Sequence, residues 1–223
     1  PVLPDGPRAL TDAGPVRDRT TSLAEGMAAH RAQLQRRLEV PVVVQFDEPS
    51  LPAALAGRLA GVSSLNTVHP VDEAVVNALL DECVEVVGGD VGLHCCAADL
   101  PWKMLQRSTI MAVSVDVQTL TAADLDGIGE FIESGRTVLL GAVPTTAPAV
   151  APTAEQVAAA VAAVTDRLGF ARAVLRDRVG VTPACGLAAA TPGWARTAIE
   201  LSQRAADAFA VDHRGVRAAG SHH

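Results

Sequence analysis

Apolar residues along the chain follow two alternating patterns, one typical of helices and one typical of buried strands. Residues 16–38 place apolar side chains at helical spacing, and the run 40–46 that follows is apolar apart from Gln45 and is closed by Asp-Glu-Pro. A continuous apolar run of this length predicts a strand that is buried on both faces. The same alternation of helix and strand then repeats along the chain.

The repeated pattern predicts five strands and six helices. The predicted strands cover residues 40–46, 91–96, 112–117, 137–143 and 179–184. The predicted helices cover residues 16–38, 71–87, 101–107, 122–134, 153–168 and 192–209. Alternating buried strands and amphipathic helices predict an α/β fold with a parallel sheet.

The residues that could carry chemistry lie at the carboxyl ends of different strands, which favours a TIM (β/α)8-type barrel over an open sheet. A closed barrel needs eight strands and about 250 residues. Because this chain of 223 residues predicts only five βα units, we expect the C-terminal part of a barrel that is N-terminally incomplete. A missing N-terminal segment or a second chain would complete it.

The expected domain organisation follows from this interpretation. Residues 1–15 contain four prolines and no periodicity, which predicts a loop or the scar of a truncation. Residues 16–211 form the C-terminal part of the barrel domain, and residues 212–223 form a tail. The last four residues, 220–223, resemble the start of an affinity tag.

Composition and charge limit the classes of partner. The formal net charge is −7, and no run of lysine and arginine is long enough to follow a phosphate backbone, so we expect no nucleic acid partner. No apolar run reaches the roughly 18 to 20 residues that span a bilayer, and the chain does not start with a signal peptide pattern. We therefore expect a cytoplasmic protein, without a membrane partner, that acts on a small molecule.

Four cysteines in such a chain indicate metal binding or catalysis before disulfides. His94 and Cys96 lie two residues apart and share one face of a strand, although any strand would place them so. Cys185 ends the last predicted strand, and Asp116 ends the strand 112–117. One imidazole, two thiolates and a carboxylate suit tetrahedral Zn²⁺. A solvated aspartate at a strand end is the alternative reading of Asp116.

Asp47 and Glu48 allow either a substrate-binding or a purely structural interpretation. Asp47 and Glu48 close the first strand, where one carboxylate can bind a substrate ammonium while the other caps a helix or pairs with arginine. Alternatively, both can belong to an ordinary turn.

Cys83 lies in a helical pattern and is predicted to be a small core residue. His30 and His69 are predicted to be structural or solvent-facing. Cys95 is expected to point into the barrel wall, away from its neighbours.

Four segments carry a resemblance to a known family, namely Gln45–Pro49, His94–Cys96, Ser114–Asp116 and Pro183–Leu187. With these segments in this order, residues 16–209 resemble the C-terminal catalytic barrel of cobalamin-independent methionine synthase. That superfamily also holds uroporphyrinogen decarboxylase. The resemblance implies a zinc-dependent methyltransferase that moves a methyl group to a thiol such as homocysteine from a methylfolate or methylcorrinoid donor.

The resemblance also implies roles for particular residues. It makes His94, Cys96 and Cys185 zinc ligands, and it places Asp47, with Glu48 beside it, at the homocysteine site. Asp116 stands where the family has a glutamate ligand, and it is one methylene shorter. Two alternatives stay open: a catalytically incomplete zinc-binding or structural barrel, and a decarboxylase of the uroporphyrinogen type. The decarboxylase chemistry needs no zinc cysteines and favours arginines around the substrate.

Overall fold

The computed structural model describes residues 13–60 and 68–212. In chain order, the elements are α1 (Ala13–Leu38), β1 (Val44–Asp47), α2 (Leu51–Leu55), α3 (Glu73–Val87), β2 (Val91–Cys95), α4 (Trp102–Arg107), β3 (Ala112–Asp116), α5 (Ala122–Glu133), β4 (Thr137–Val143), α6 (Ala154–Thr165), α7 (Arg172–Arg178), β5 (Val179–Pro183) and α8 (Pro192–Asp212). The five predicted strands and six predicted helices are confirmed. The short helices α2 and α7 were not predicted.

The predicted terminal segments fall largely outside the described residues. The loop expected over residues 1–15 is described only from Ala13, which already belongs to α1. The tail expected after α8 and the tag-like residues 220–223 lie outside the described part of the chain.

The strands form a five-stranded parallel sheet in the order β1-β2-β3-β4-β5. Strand order therefore follows chain order, as right-handed βα units laid side by side produce. This arrangement confirms the predicted α/β class and is consistent with part of a TIM-barrel-like fold. The carboxyl ends of parallel strands all lie at one edge of the sheet, so the residues that follow each strand are brought to the same side.

The chain divides into two compact units. The first comprises the described residues of Pro1–His94 and Asp99–Met111, and it contains β1, β2 and helices α1 to α4. Its core is apolar and fully buried at Leu93, Met104 and Ile110. Helix α3 begins where the Asp72 carboxylate accepts a hydrogen bond from the Ala74 amide at 2.7 Å, an N-cap that satisfies a free backbone donor.

The second unit comprises Cys95–Ala98 and the described residues from Ala112 onward. It contains β3, β4 and β5 with helices α5 to α8. A buried cluster fills the space between β4, α6 and α8. Its members are Val143, Val157, Trp194, Ala198, Leu201 and Ala205. Helix α6 begins in a capping box, in which Thr153 and Gln156 each bind the backbone amide of the other.

None of the helices in the described part of the chain combines the length and the apolar character needed to cross a bilayer.

Candidate metal centre

Cys185 follows β5, and packing against the core of the second unit holds it in place. Val181, four residues before it, and Leu187, two residues after it, both pack against the cluster around Trp194. The amide of Ala184 donates a hydrogen bond to the Val143 carbonyl at 2.9 Å. Because these anchors flank Cys185 on both sides, its backbone is fixed by rigid elements rather than by a free loop.

The strand end that carries Cys185 also depends on a glycine in the neighbouring strand. A Cβ atom at Gly141 of β4 would lie 2.7 Å from the Cα of Ala184 and 2.8 Å from the carbonyl oxygen of Val115. Only glycine allows this close approach of the chains. Sequence reasoning missed Gly141, although a glycine inside an otherwise apolar strand pattern is the signal that could have found it.

Cys96 follows β2 directly. Cys95, the last residue of β2, is fully buried, whereas Cys96 is only partly buried. The Cys185 thiol donates to the Cys96 sulfur, with a distance of 3.4 Å between the two Sγ atoms. The structure therefore brings together two cysteines that lie 89 residues apart in sequence.

His94 lies two residues before Cys96 on the same stretch of chain and is buried. One ligand atom from each of His94, Cys96 and Cys185 lies within 4.8 Å of the others. Two sulfur atoms bound to one Zn²⁺ at about 2.3 Å lie about 3.8 Å apart in a tetrahedral site. The observed sulfur contact at 3.4 Å would need to open by only a few tenths of an ångström, so this donor set fits zinc.

Where the structure places it, the Cys96 thiol resists deprotonation. Burial first of all, and then the hydrogen bond and charge of Cys185, raise the pKa of the Cys96 thiol from 9.0 to about 11. A thiolate at Cys96 is therefore unfavourable without a compensating positive charge. A divalent cation beside the two sulfurs reverses this balance, because coordination deprotonates thiols.

The structure places Asp116 at the end of β3, as predicted, and engages its carboxylate in a turn. Its Oδ1 accepts a hydrogen bond from the Gln118 amide at 2.9 Å, and its carbonyl accepts one from the Thr119 amide at 3.1 Å. Within residues 13–60 and 68–212, the group of ligand atoms around Cys96 does not include Asp116. Zinc ligation by Asp116 therefore stays a prediction.

Asp47 and Glu48 lie at the end of β1 in the first unit. Asp47 is in register with His94 across the β1–β2 pair, and the Glu48 amide donates to the His94 carbonyl at 2.8 Å. The exposed Asp47 carboxylate accepts a hydrogen bond from Gln45 Nε2 at 2.8 Å. Burial raises the pKa of Glu48, and the charge of Asp47 raises it further. Both carboxylates therefore belong to the carboxyl edge of the sheet, beside the strand that carries His94.

The residues predicted to be structural behave as expected. Cys83 is buried in α3, whereas His30 and His69 are exposed to solvent. A separation of His94, Cys96 and Cys185 by more than about 7 Å would favour the porphyrinogen decarboxylase alternative. Their ligand atoms lie within 4.8 Å of one another, so the structure adds no support for that alternative.

The candidate site residues lie in a segment that matches a known protein family. Residues 3–208 match the family model described as the catalytic domain of cobalamin-independent synthase. This span contains β1 to β5 and all the candidate site residues. A comparison with curated proteins returned no match.

Proposed function

Because the chain belongs to the family of cobalamin-independent methionine synthase catalytic domains, we propose that it is a zinc-dependent S-methyltransferase acting on a thiol such as homocysteine. The family is a methyltransferase-type enzyme domain, which implies a small-molecule substrate and a methyl donor. The observation that carries the proposal is the contact between the sulfurs of Cys96 and Cys185 beside His94. Such a soft donor set binds zinc in preference to magnesium or calcium.

In this proposal His94, Cys96 and Cys185 hold the metal, and Asp116 supplies the fourth donor. A bound Zn²⁺ would act as a Lewis acid that lowers the pKa of the substrate thiol from about 8.5, which makes thiolate available at neutral pH. Cys96 and Cys185 are deprotonated in this state. Their two negative charges would raise the electron density on the substrate sulfur and favour its attack on the methyl carbon.

The carboxylates at the end of β1 suit the other end of an amino acid substrate. Asp47 is exposed and its charge is available to an ammonium group, while Glu48 lies partly buried beside it. A carboxylate paired with an ammonium forms a charge-assisted hydrogen bond. In the transfer step the substrate sulfur forms a bond to the methyl carbon, and the bond between that carbon and the donor, a methylfolate or a methylcorrinoid, breaks.

Zinc stoichiometry is the first test of the proposal. The protein should lack His222 and His223, since terminal histidines bind metals on their own. We expect about one zinc per chain by elemental analysis in the wild type. Cys185→Ser should lose the metal, because it replaces one thiolate donor with a poor ligand. Cys83→Ser is the matched control, since Cys83 is buried in α3 and is not part of the ligand group.

Methyl transfer is tested next on the zinc-loaded protein. Homocysteine is supplied with a methylfolate or with a methylcorrinoid, and methionine is measured by mass spectrometry. Methionine formed with one donor supports the proposal and identifies the donor. Stoichiometric zinc without methionine formation from either donor would instead favour the zinc-binding alternative. A reduced wild type that binds no zinc would overturn the metal assignment itself.

A further inference from the structure

The sulfur atoms of Cys96 and Cys185 form a contact that has chemical consequences without any metal. They lie 3.4 Å apart, and both residues are only partly buried, so a small oxidant can reach them. The other two cysteines of the chain are different. Cys83 and Cys95 are both buried. Cys96 and Cys185 therefore differ from the other two cysteines in the short distance between their sulfur atoms and in their exposure to solvent.

The surroundings of the pair favour a bond between these two sulfurs. A disulfide bond is about 2.05 Å long, so the two sulfurs must approach each other by about 1.4 Å from their present contact. Rotation about the side-chain bonds of the two cysteines supplies movement of this size. The backbone at Cys185 is anchored by Val181 and Leu187, so it cannot carry the thiol away from its partner. Proximity of this kind makes the intramolecular reaction favourable over any reaction between chains.

We infer that Cys96 and Cys185 form an intrachain disulfide when the metal site is empty and a peroxide is present, and that the oxidised chain does not bind the metal. The inference deepens the proposed function, on which it rests for the identity of the metal. The disulfide itself depends only on the contact between the two sulfurs. The site is then under redox control, with a metal-binding reduced form and a metal-free oxidised form.

The reaction balances with hydrogen peroxide as the oxidant. One sulfur of the pair attacks a peroxide oxygen, the O–O bond breaks, and the leaving hydroxide takes up the proton of that thiol, so that a sulfenic acid and one water form. The second sulfur then attacks the sulfenic sulfur, the S–O bond breaks, and a second water leaves with the proton of that thiol. Two thiols are thereby oxidised to one disulfide, and one peroxide is reduced to two waters. An added dithiol reverses the reaction by thiol–disulfide exchange.

The loss of metal binding follows from the ligand chemistry. Only the thiolate form of cysteine is a metal ligand, and a disulfide removes both thiolates at once. Among the three residues of the ligand group, His94 alone keeps its donor atom. Conversely, a bound metal engages both sulfurs and should protect them from oxidation. We expect metal-free protein that has been oxidised to take up at least about tenfold less zinc than metal-free protein kept reduced, and to recover its zinc uptake after reduction.

Peptide mapping of metal-free, peroxide-treated protein identifies the bond. Intact mass should fall by two hydrogen atoms. Trypsin leaves Cys185 in the peptide 179–196, whereas Cys83, Cys95 and Cys96 share the peptide 59–103, since no lysine or arginine separates them. The mass of the crosslinked peptides does not show which of these three cysteines is bonded to Cys185, so cysteine-to-serine variants identify it. Cys95→Ser and Cys83→Ser should keep it, and Cys96→Ser should lose it.

The outcomes separate this inference from the proposed function. Zinc bound to the reduced wild type tests the metal site alone. If the reduced protein binds zinc but the metal-free protein forms no crosslink with peroxide, the inference is wrong and the metal site stands. A crosslink that persists in Cys96→Ser and disappears in Cys95→Ser would also overturn it. If the protein forms the disulfide but never binds zinc, disulfide formation between Cys96 and Cys185 is supported. The second part of the inference, that oxidation prevents metal binding, is then rejected.

Discussion

Gly141 is a position at which a single added methyl group should disturb the proposed metal site. It lies on β4 beside the ends of β3 and β5, in register with Asp116 and Thr182. A Cβ there would meet the Cα of Ala184 at 2.7 Å and the Val115 carbonyl at 2.8 Å. Both are backbone atoms, so no side-chain rotation can relieve the clash. Gly141→Ala should therefore displace the chain that carries the neighbouring cysteine.

The size of the effect can be worked out from these distances. Carbon atoms in good contact lie about 3.5 Å or more apart, so the chain at Ala184 must move by about 0.8 Å. Overpacking of this kind costs about 1–3 kcal/mol of stability. Metal-ligand distances tolerate only about 0.2 Å of error, and Cys185 is the next residue along the chain. We therefore expect a zinc affinity at least about tenfold below that of the wild type.

Two measurements check this prediction. Urea denaturation gives the loss in free energy of unfolding, and competition with a chromophoric chelator gives the zinc affinity. Gly129→Ala is the matched control, because a Cβ at Gly129 meets nothing within 4 Å and the residue lies inside α5. It should gain up to about 1 kcal/mol from helix propensity and keep its zinc affinity. A Gly141→Ala protein with wild-type stability and zinc affinity would refute the reasoning.

Two further substitutions test the core and the fourth ligand. Phe131 is fully buried in α5, so Phe131→Ala should cost about 3–5 kcal/mol in urea denaturation, and a smaller loss than about 1 kcal/mol would contradict its place in the core. Asp116→Asn keeps an oxygen that can accept the hydrogen bond from Gln118 but removes the charge. If Asp116 ligates zinc, as we predict, the chelator assay should show about a tenfold or greater loss of affinity with little change in stability. Unchanged affinity would assign Asp116 to the turn alone.

The strands differ in how closely they match the burial predicted for a parallel sheet. Strand β2 is buried along its whole length, whereas Gln45 and Asp47 of β1 are exposed, so the prediction that the first strand is buried on both faces is wrong. The run 137–143 reads as continuously apolar and forms β4 over the same residues. The first strand is less regular, since the apolar run starts at Val40 whereas β1 starts at Val44. Val43 is 66% exposed, and the Val42 carbonyl accepts a hydrogen bond from Arg31 instead of from a strand. An apolar run alone does not indicate where strand pairing begins.

The two unpredicted helices are too short to produce a periodic pattern. Helix α2 has five residues and includes Pro52 near its start, and α7 has seven residues with Leu175 as its buried apolar contact. Helical periodicity needs about 11 residues or more to be recognised. Helices of this length form because tertiary packing holds them, not because of their own propensity. Sequence patterns therefore describe the long elements and omit the short ones.

The candidate site was predictable in its members and less so in its geometry. Strand alternation alone places His94 and Cys96 on one side and Cys95 on the other. The contact with Cys185 depends on strand order and on the close approach of β4 and β5 at Gly141, which no local pattern specifies. Asp116 illustrates the remaining difficulty. A carboxylate at a strand end can cap a turn or bind a metal, and the same sequence suits both.

The position of Cys185 links the stability of the second unit to the chemistry of its sulfur. Val181 and Leu187, on either side of Cys185, pack on the same cluster as Trp194, and the Trp194 indole donates to the Pro144 carbonyl at 3.0 Å. The ends of β4 and β5 are therefore held by one core. A change that loosens this core moves Cys185 relative to Cys96, whether the two sulfurs share a metal or a disulfide. Because both proposed states require the sulfurs to stay close, we expect packing under the sheet to affect zinc binding and disulfide formation together.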